Sequence, residues 1–133
     1  MPLISITRLR VRSWRYLPMF FVQAARSQMQ ARASAGCLGL EVLNDAHRTF
    51  WTRSAWTSEA AMRSYMMAGV HKQVMPRLAD WCDEASVAHW QQDTAERPDW
   101  IEVHARMQRD GRPSRVKHPT EAHKNFVIPL PRL

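Results

Sequence analysis

Six histidines and two cysteines set the range of side-chain chemistry open to this 133-residue chain. His71 is the first candidate, because it stands between Gly69 and Pro76, where a helical pattern is interrupted. A neutral imidazole beside an apolar pocket can take a proton from an acidic phenol or enol and leave a carbanion that oxygen oxidises. The same ring could ligate a heme iron or serve structure alone. Trp51, Trp56, Tyr65, Trp81 and Trp90 are candidates for a pocket wall, although aromatic residues at strand or helix spacing equally build ordinary core. His89 falls on the same strand face as Val87 and is expected to point inward. His47 lies in turn chemistry, and His104, His118 and His123 are scattered without zinc-ligand spacing, so no metal site is expected. Cys37 and Cys82 form no CxxC pair, which fits reduced thiols in the cytoplasm. Four glycines leave little room for a nucleotide-binding loop, and no nucleophile motif or paired-carboxylate arrangement is visible. Hydrolase, kinase and dinucleotide-dependent chemistries are therefore disfavoured.

The formal net charge is +7, and its distribution is uneven. Arg8, Arg10, Arg12, Arg15, Arg26 and Arg32 precede the first acid, Glu41. A basic face attracts anions in general. There is no zinc-finger spacing, Arg-rich helix or Gly-aromatic signature, and no nucleic-acid partner is expected. Arg8 and Arg10 share a strand face and could meet an anionic ligand or an acid such as Glu41. The longest apolar run, Tyr16 to Ala25, contains Pro18 and Gln23 and falls well short of the roughly twenty residues a membrane span needs.

Alternation over Leu3 to Val11 predicts a strand, with Ser5, Thr7 and Leu9 facing one way and Ile4, Ile6 and Arg8 the other. Leu17, Phe20, Phe21, Ala24, Gln28 and Ala31 then recur at helical spacing. Leu38 to Leu43 and Thr49 to Trp56 alternate on either side of the turn residues Asn44 to His47, a hairpin signal. Thr57 or Ser58 caps a second helix striped by Met62, Tyr65 and Met66. Gly69 interrupts it, Val70, Val74, Leu78 and Trp81 resume it, and Pro76 implies a break nearby. Ser86 to Gln91 is the fourth strand. The order β-α-β-β-α-β predicts an α+β, ferredoxin-like domain over residues 1–92, with a four-stranded antiparallel sheet and both helices on one face. Residues 93–133 form a basic extension. Trp100, Val103 and Met107 predict a short helix there, followed by an irregular stretch able to drape over a surface through Phe126 and Ile128. Several strands are apolar on both faces, so the second face needs a cover, and a second copy of the chain is the expected one.

The segment from Phe50 through Trp56 to Tyr65 resembles the third strand and second helix of the antibiotic biosynthesis monooxygenase-like family, within the dimeric α+β barrel superfamily. Gly69-Val70-His71 resembles the family's small-residue, x, His segment. Met75 to Ser86 is similar to a bacterial subgroup related to spheroidene monooxygenase. The resemblance spans about residues 3 to 91. It implies a homodimer with two sheets face to face and a cavity between each sheet and its helices. Some members oxidise activated polycyclic phenols with no metal or flavin. Others bind and degrade heme through an Asn on the first strand with a Trp and a His on the second helix. His71 matches that His and Tyr65 falls near that Trp, whereas the first strand offers Ser5 and Thr7.

The expected function is an oxidoreductase, a small monooxygenase-like protein that needs no cofactor. Its ligand is a hydrophobic polycyclic or isoprenoid molecule held between sheet and helices. His71 would be the base or a polar anchor, with Tyr65, Trp56, Trp51, Trp81 and His89 lining the ligand. A non-catalytic module that binds a ligand or partner is the alternative, and a heme-binding protein is a third reading.

Overall fold

Strand β1, Leu3–Val11, is the centre of the molecule. It pairs antiparallel with β3, Thr49–Trp56, on one side and with β4, Cys82–Gln91, on the other. β2, Cys37–Asp45, adds outside β3, and a two-residue β5, Arg112–Pro113, adds outside β4. The sheet order is β2-β3-β1-β4-β5. The structure is a computed structural model and describes residues 1–132.

Side chains alternate across a strand, so the register decides which residues share a face. Ser5, Thr7 and Leu9 lie opposite Ser54, Thr52 and Phe50 of β3 and opposite His89, Val87 and Ala85 of β4. Three helices pack on this side. α1, Leu17–Ala33, carries Pro18 in its first turn, where the missing N–H costs no hydrogen bond. α2, Glu59–Met66, starts at Ser58, whose side chain accepts from the Ala61 N–H. α3, Gly69–Trp81, follows almost at once and runs directly into β4. Their apolar contacts with the sheet form two separate clusters. One joins Leu3, Ala31, Leu40, Trp56 and Met62. The other joins Val11, Leu17, Phe20, Trp81 and Cys82.

The opposite face carries Ile4, Ile6, Trp51, Ala55 and Ala88, all buried. The chain covers this face itself. α4, Trp100–Asp110, starts at an Asp99 cap and lays Val103 and Met107 on it, and Ile128 joins them from the end of the extension. All three are buried. The approach to α4 is pinned by Glu41, which accepts from Arg53 and Arg97 at 3.1 and 2.8 Å. Arg53 also donates to the Pro98 carbonyl. Beyond β5 lies α5, Glu121–Lys124.

Several expectations are corrected. The sheet has five strands instead of four, because the extension returns to the free edge of β4. Helices cover both faces instead of one, and the face expected to meet a second copy is occupied by α4. α3 passes through Pro76 without breaking. The break falls at Met67 and Ala68, and β4 begins at Cys82 instead of Ser86. Apart from β5 and a short helix, Glu121–Lys124, the stretch after α4 has no regular secondary structure, and it lies over the sheet through Ile128 and Phe126.

Neither Arg8 nor Arg10 meets Glu41, and Arg8 is buried while Arg10 is part exposed. Arg8 donates to Glu84 at 2.7 Å in a pair that is almost wholly buried, and Thr120 donates to the other Glu84 oxygen at 2.7 Å. Burial pushes the Glu84 carboxyl up, but hydrogen bonds from Thr120 and Arg8 and the charges of Arg8 and Arg10 outweigh it and hold it below the ordinary value. Arg10 reaches Asp83 at 3.3 Å.

Met107 is fully buried between α4 and the sheet. Met107→Ala is expected to lower stability by about 2–5 kcal/mol, as cavity formation in a packed core does. Urea unfolding followed by tryptophan fluorescence measures it, and an unchanged midpoint would mean that α4 is not seated on the sheet.

Candidate functional site

The two clusters on the α1–α3 side do not meet. Between them lies a cavity of about 810 Å³. Its floor is the sheet face of Ser5, Thr7, Thr52 and Ser54, a row of hydroxyls across β1 and β3. Its roof is apolar and comes from Phe20 and Phe21 of α1, Met66 of α2, and Val74 and Leu78 of α3. An apolar chamber with a few convergent polar groups is the usual form of a small-molecule site.

His71 lines one end. Its ring lies 4.7 Å from that of Tyr65, and Tyr65 stacks on Trp56 at 5.3 Å. The Trp56 indole donates to Ser54 Oγ at 3.0 Å, and the Tyr65 hydroxyl donates to the Ser27 carbonyl at 3.2 Å. Burial pushes the Tyr65 phenol up to about 12, with Cys37 adding to the shift. Tyr65 therefore stays protonated and serves as a wall.

The His71 ring nitrogen Nδ1 lies 3.2 Å from the Met66 carbonyl. A carbonyl only accepts, so Nδ1 carries the proton. Burial holds the His71 pKa below its ordinary value, against the opposing pull of the Met66 hydrogen bond. The ring is neutral at pH 7, and its other nitrogen, Nε2, keeps a lone pair. Nε2 has no hydrogen-bond partner among the described residues. That is the arrangement a general base requires.

Gln30 of α1 sets this geometry. Its side-chain nitrogen donates to the carbonyls of Tyr65 and Ala68 at 3.2 and 2.8 Å, and its oxygen accepts the His71 N–H at 2.9 Å. The His71 N–H lies in the first turn of α3, where helix geometry supplies no acceptor, whereas the Tyr65 and Ala68 carbonyls also accept from the Ala68 and Lys72 N–H groups. Gly69 takes φ +55 at the break, and a side chain there would press on the Gln30 amide at 3.3 Å. Nothing in the local sequence marks Gln30, because its partners lie far away in the chain.

Of the residues expected at the site, His71, Tyr65, Trp56 and His89 line the cavity. His89 is exposed at its edge, with its ring 3.9 Å from Glu59. Trp51 does not line it. Period-two alternation puts it on the opposite face under α4, where its indole donates to Asp45 at 3.0 Å. Trp81 is packed into the cluster beyond the far end. The extension contributes Arg112, Ser114, Arg115 and Val116 to the rim, none of which was expected at the site. Among the described residues, no three His, Cys, Asp or Glu side chains gather as metal ligands.

No protein-family model matches the chain, and no curated protein matches it. Solved structures do. A putative antibiotic biosynthesis monooxygenase from Nitrosomonas europaea superposes with TM-score 0.62 at 14% identity, over 69% of this chain and 90% of that one. SnoaB, a cofactor-independent oxygenase from Streptomyces nogalater, superposes with TM-score 0.58 at 13% identity, over 70% and 94%. A conserved protein from Methanosarcina mazei Go1 gives 0.61 at 12%, again over 70% and 94%. The chain shares the fold of these neighbours. That fold accounts for nearly the whole of each neighbour and leaves about three-tenths of the present chain unmatched.

The lowered His71 pKa has a thermodynamic consequence. The unfolded chain binds this proton more readily than the folded one, so the His71 contribution to stability is complete above about pH 6.5 and is lost as pH falls through the folded pKa. His71→Gln is expected to reduce the slope of stability against pH in that window. Denaturant unfolding at several pH values checks it, and an unchanged slope would place the ring in solvent.

Proposed function

We propose that the chain is a small, cofactor-independent oxygenase whose substrate is a hydrophobic, polycyclic phenol or enol bound between sheet and helices. The observation that carries this reading is His71 in the cavity wall, neutral, with Nδ1 committed to Met66 and Nε2 free. Nε2 would remove the acidic proton of a carbon or hydroxyl flanked by an aromatic ring and a carbonyl. The resulting carbanion is electron-rich enough to react with dioxygen. One oxygen atom enters the substrate as a carbonyl and the other leaves as water, which balances the loss of two hydrogens from an activated methylene. Trp56 and Tyr65 would face the ring system, and the hydroxyl row of Ser5, Thr7, Thr52 and Ser54 would bind its oxygenated edge. No carboxylate lines the cavity, which favours the anionic intermediate.

A non-catalytic role in holding a similar ligand uses the same wall and differs only in the absence of turnover. Heme binding has less support, since the first strand carries Ser5 and Thr7 where heme-degrading members carry Asn. An absorbance scan with added heme separates it from the other two. Cys37 and Cys82 are free thiols, which fits a cytoplasmic setting, and no helix among the described residues is long and apolar enough to cross a membrane. A homodimer would have to form through a surface other than the α4-covered face, or by exchange of the extension between two copies. With the extension seated as it is here, light scattering is expected to give a mass near 15.5 kDa. Twice that mass would point to such an exchange or a second surface.

His71→Ala in a folded protein is expected to abolish oxygen uptake with anthrone-type substrates, or to lower it about 100-fold or more, as loss of a general base does. Oxygen-electrode assays paired with thermal melts decide it. Unchanged uptake in the folded variant would end the base assignment.

A further inference from the structure

The strongest unassigned feature is the charge on the cavity rim. The lining contains Arg63, Arg112 and Arg115 and not one Asp or Glu. Arg63 is already neutralised by Glu59 at 2.9 Å. Arg112 and Arg115 have no ion pair and no side-chain hydrogen bond among the described residues. Their lack of partners is local. Elsewhere on the extension Arg97 pairs with Glu41, Arg106 with Glu102 and Arg109 with Asp110.

Their backbone is held firmly even though their side chains are free. Arg112 pairs with Val87 of β4, which also lines the cavity, so the register turns both side chains to the same face. Ser114 N–H donates to the Ala85 carbonyl at 2.8 Å, and Lys117 N–H donates to the Ala79 carbonyl at 2.8 Å. Arg115 thus sits on a strap fixed at both ends across the β4 edge. Both arginines are exposed and both line the cavity, which puts them at its mouth. Unneutralised charge at the rim of an apolar chamber concentrates the field there and draws anions in. The guanidinium fork is matched to carboxylate and sulfonate oxygens.

We propose that the cavity takes ligands bearing an anionic group on an apolar ring system, and that Arg112 and Arg115 of the C-terminal extension receive that group at the mouth beside β4. The proposal rests on the cavity being the binding site, and it adds the substrate class: a carboxylated aromatic whose ring body lies under α1 and α3. The extension then selects the ligand while the monooxygenase-type domain holds it.

The test uses the full chain and two fluorescent probes that share one ring system, anilinonaphthalenesulfonate and the uncharged N-phenylnaphthylamine. The readout is the ratio of their affinities. The wild-type chain is expected to bind the sulfonate about tenfold or more tightly, the size of a charge-assisted contact. In Arg112→Ala/Arg115→Ala the ratio is expected to fall close to one, with the neutral probe's affinity unchanged. Arg112→Lys/Arg115→Lys is expected to restore part of it. A preserved ratio in the alanine variant overturns the proposal and leaves the cavity reading intact. Failure of the neutral probe to bind the wild-type chain overturns both. Because a ratio is read, a variant that weakens both probes equally through a shifted strap also counts against the assignment.

Discussion

A sheet that is apolar on both faces must be covered twice, and the organisation of this chain follows from that requirement. β1 presents Ile4 and Ile6 to one side and Leu3 and Leu9 to the other, so neither surface can be left to water at the cost of roughly 25 cal/mol per Å² of apolar area. α1, α2 and α3 meet one side. α4 and Ile128 meet the other. The two covers differ in quality. The α4 side packs as one continuous cluster around fully buried Trp51 and Met107. The α1–α3 side packs only at its ends. The helices there span a hydroxyl-bearing floor that they cannot contact favourably, and the gap between them is the cavity.

The helix break at Met67 and Ala68 belongs to the same compromise. The chain turns at Gly69, which takes a positive φ, and α3 starts afresh and leads directly into β4. A single amide from α1 bridges this turn, donating to the Tyr65 and Ala68 carbonyls and accepting the His71 N–H. That amide also fixes the backbone of His71. The position of the candidate base is therefore set from a neighbouring helix, and its tautomer is set by the carbonyl of Met66.

Much of this was legible in the sequence, because alternation and helical spacing are local. β1, the β2–β3 hairpin, α1 and the Ser58 cap stand where their residue patterns place them. His71, Tyr65 and Trp56 share one wall because a strand end and a helix start adjoin at Ser58. What could not be read depends on contacts distant in sequence. Trp51 looked like a pocket residue by type, yet parity assigns it to the other face. Gln30 lies outside the helical stripe, and its partners are 35 to 41 residues away at the α2–α3 break. Pro76 looked like a break, yet a helix anchored by Val74 and Trp81 tolerates the loss of one hydrogen bond. In the extension, prolines and charges hide a two-residue strand whose only signal is its partner, β4.

The position of β5 also bears on how copies of this protein behave in a crowded solution. Its two residues cover part of one flank of the sheet, and the strap beyond it shields more of β4. Among the described residues, the flank formed by β2 has no neighbouring strand. An open strand is a row of unmet donors and acceptors, able to template growth by another extended chain. Here the register slips between Cys37 and Gly39, which bends the strand, and the Arg97 guanidinium lies over Gly39 within 3 Å of where a side chain would be. A bend and a charge are two of the devices that stop sheets from joining edge to edge. Through Arg97, the linker that carries the chain towards α4 thereby also guards the molecule against fibril-like self-addition.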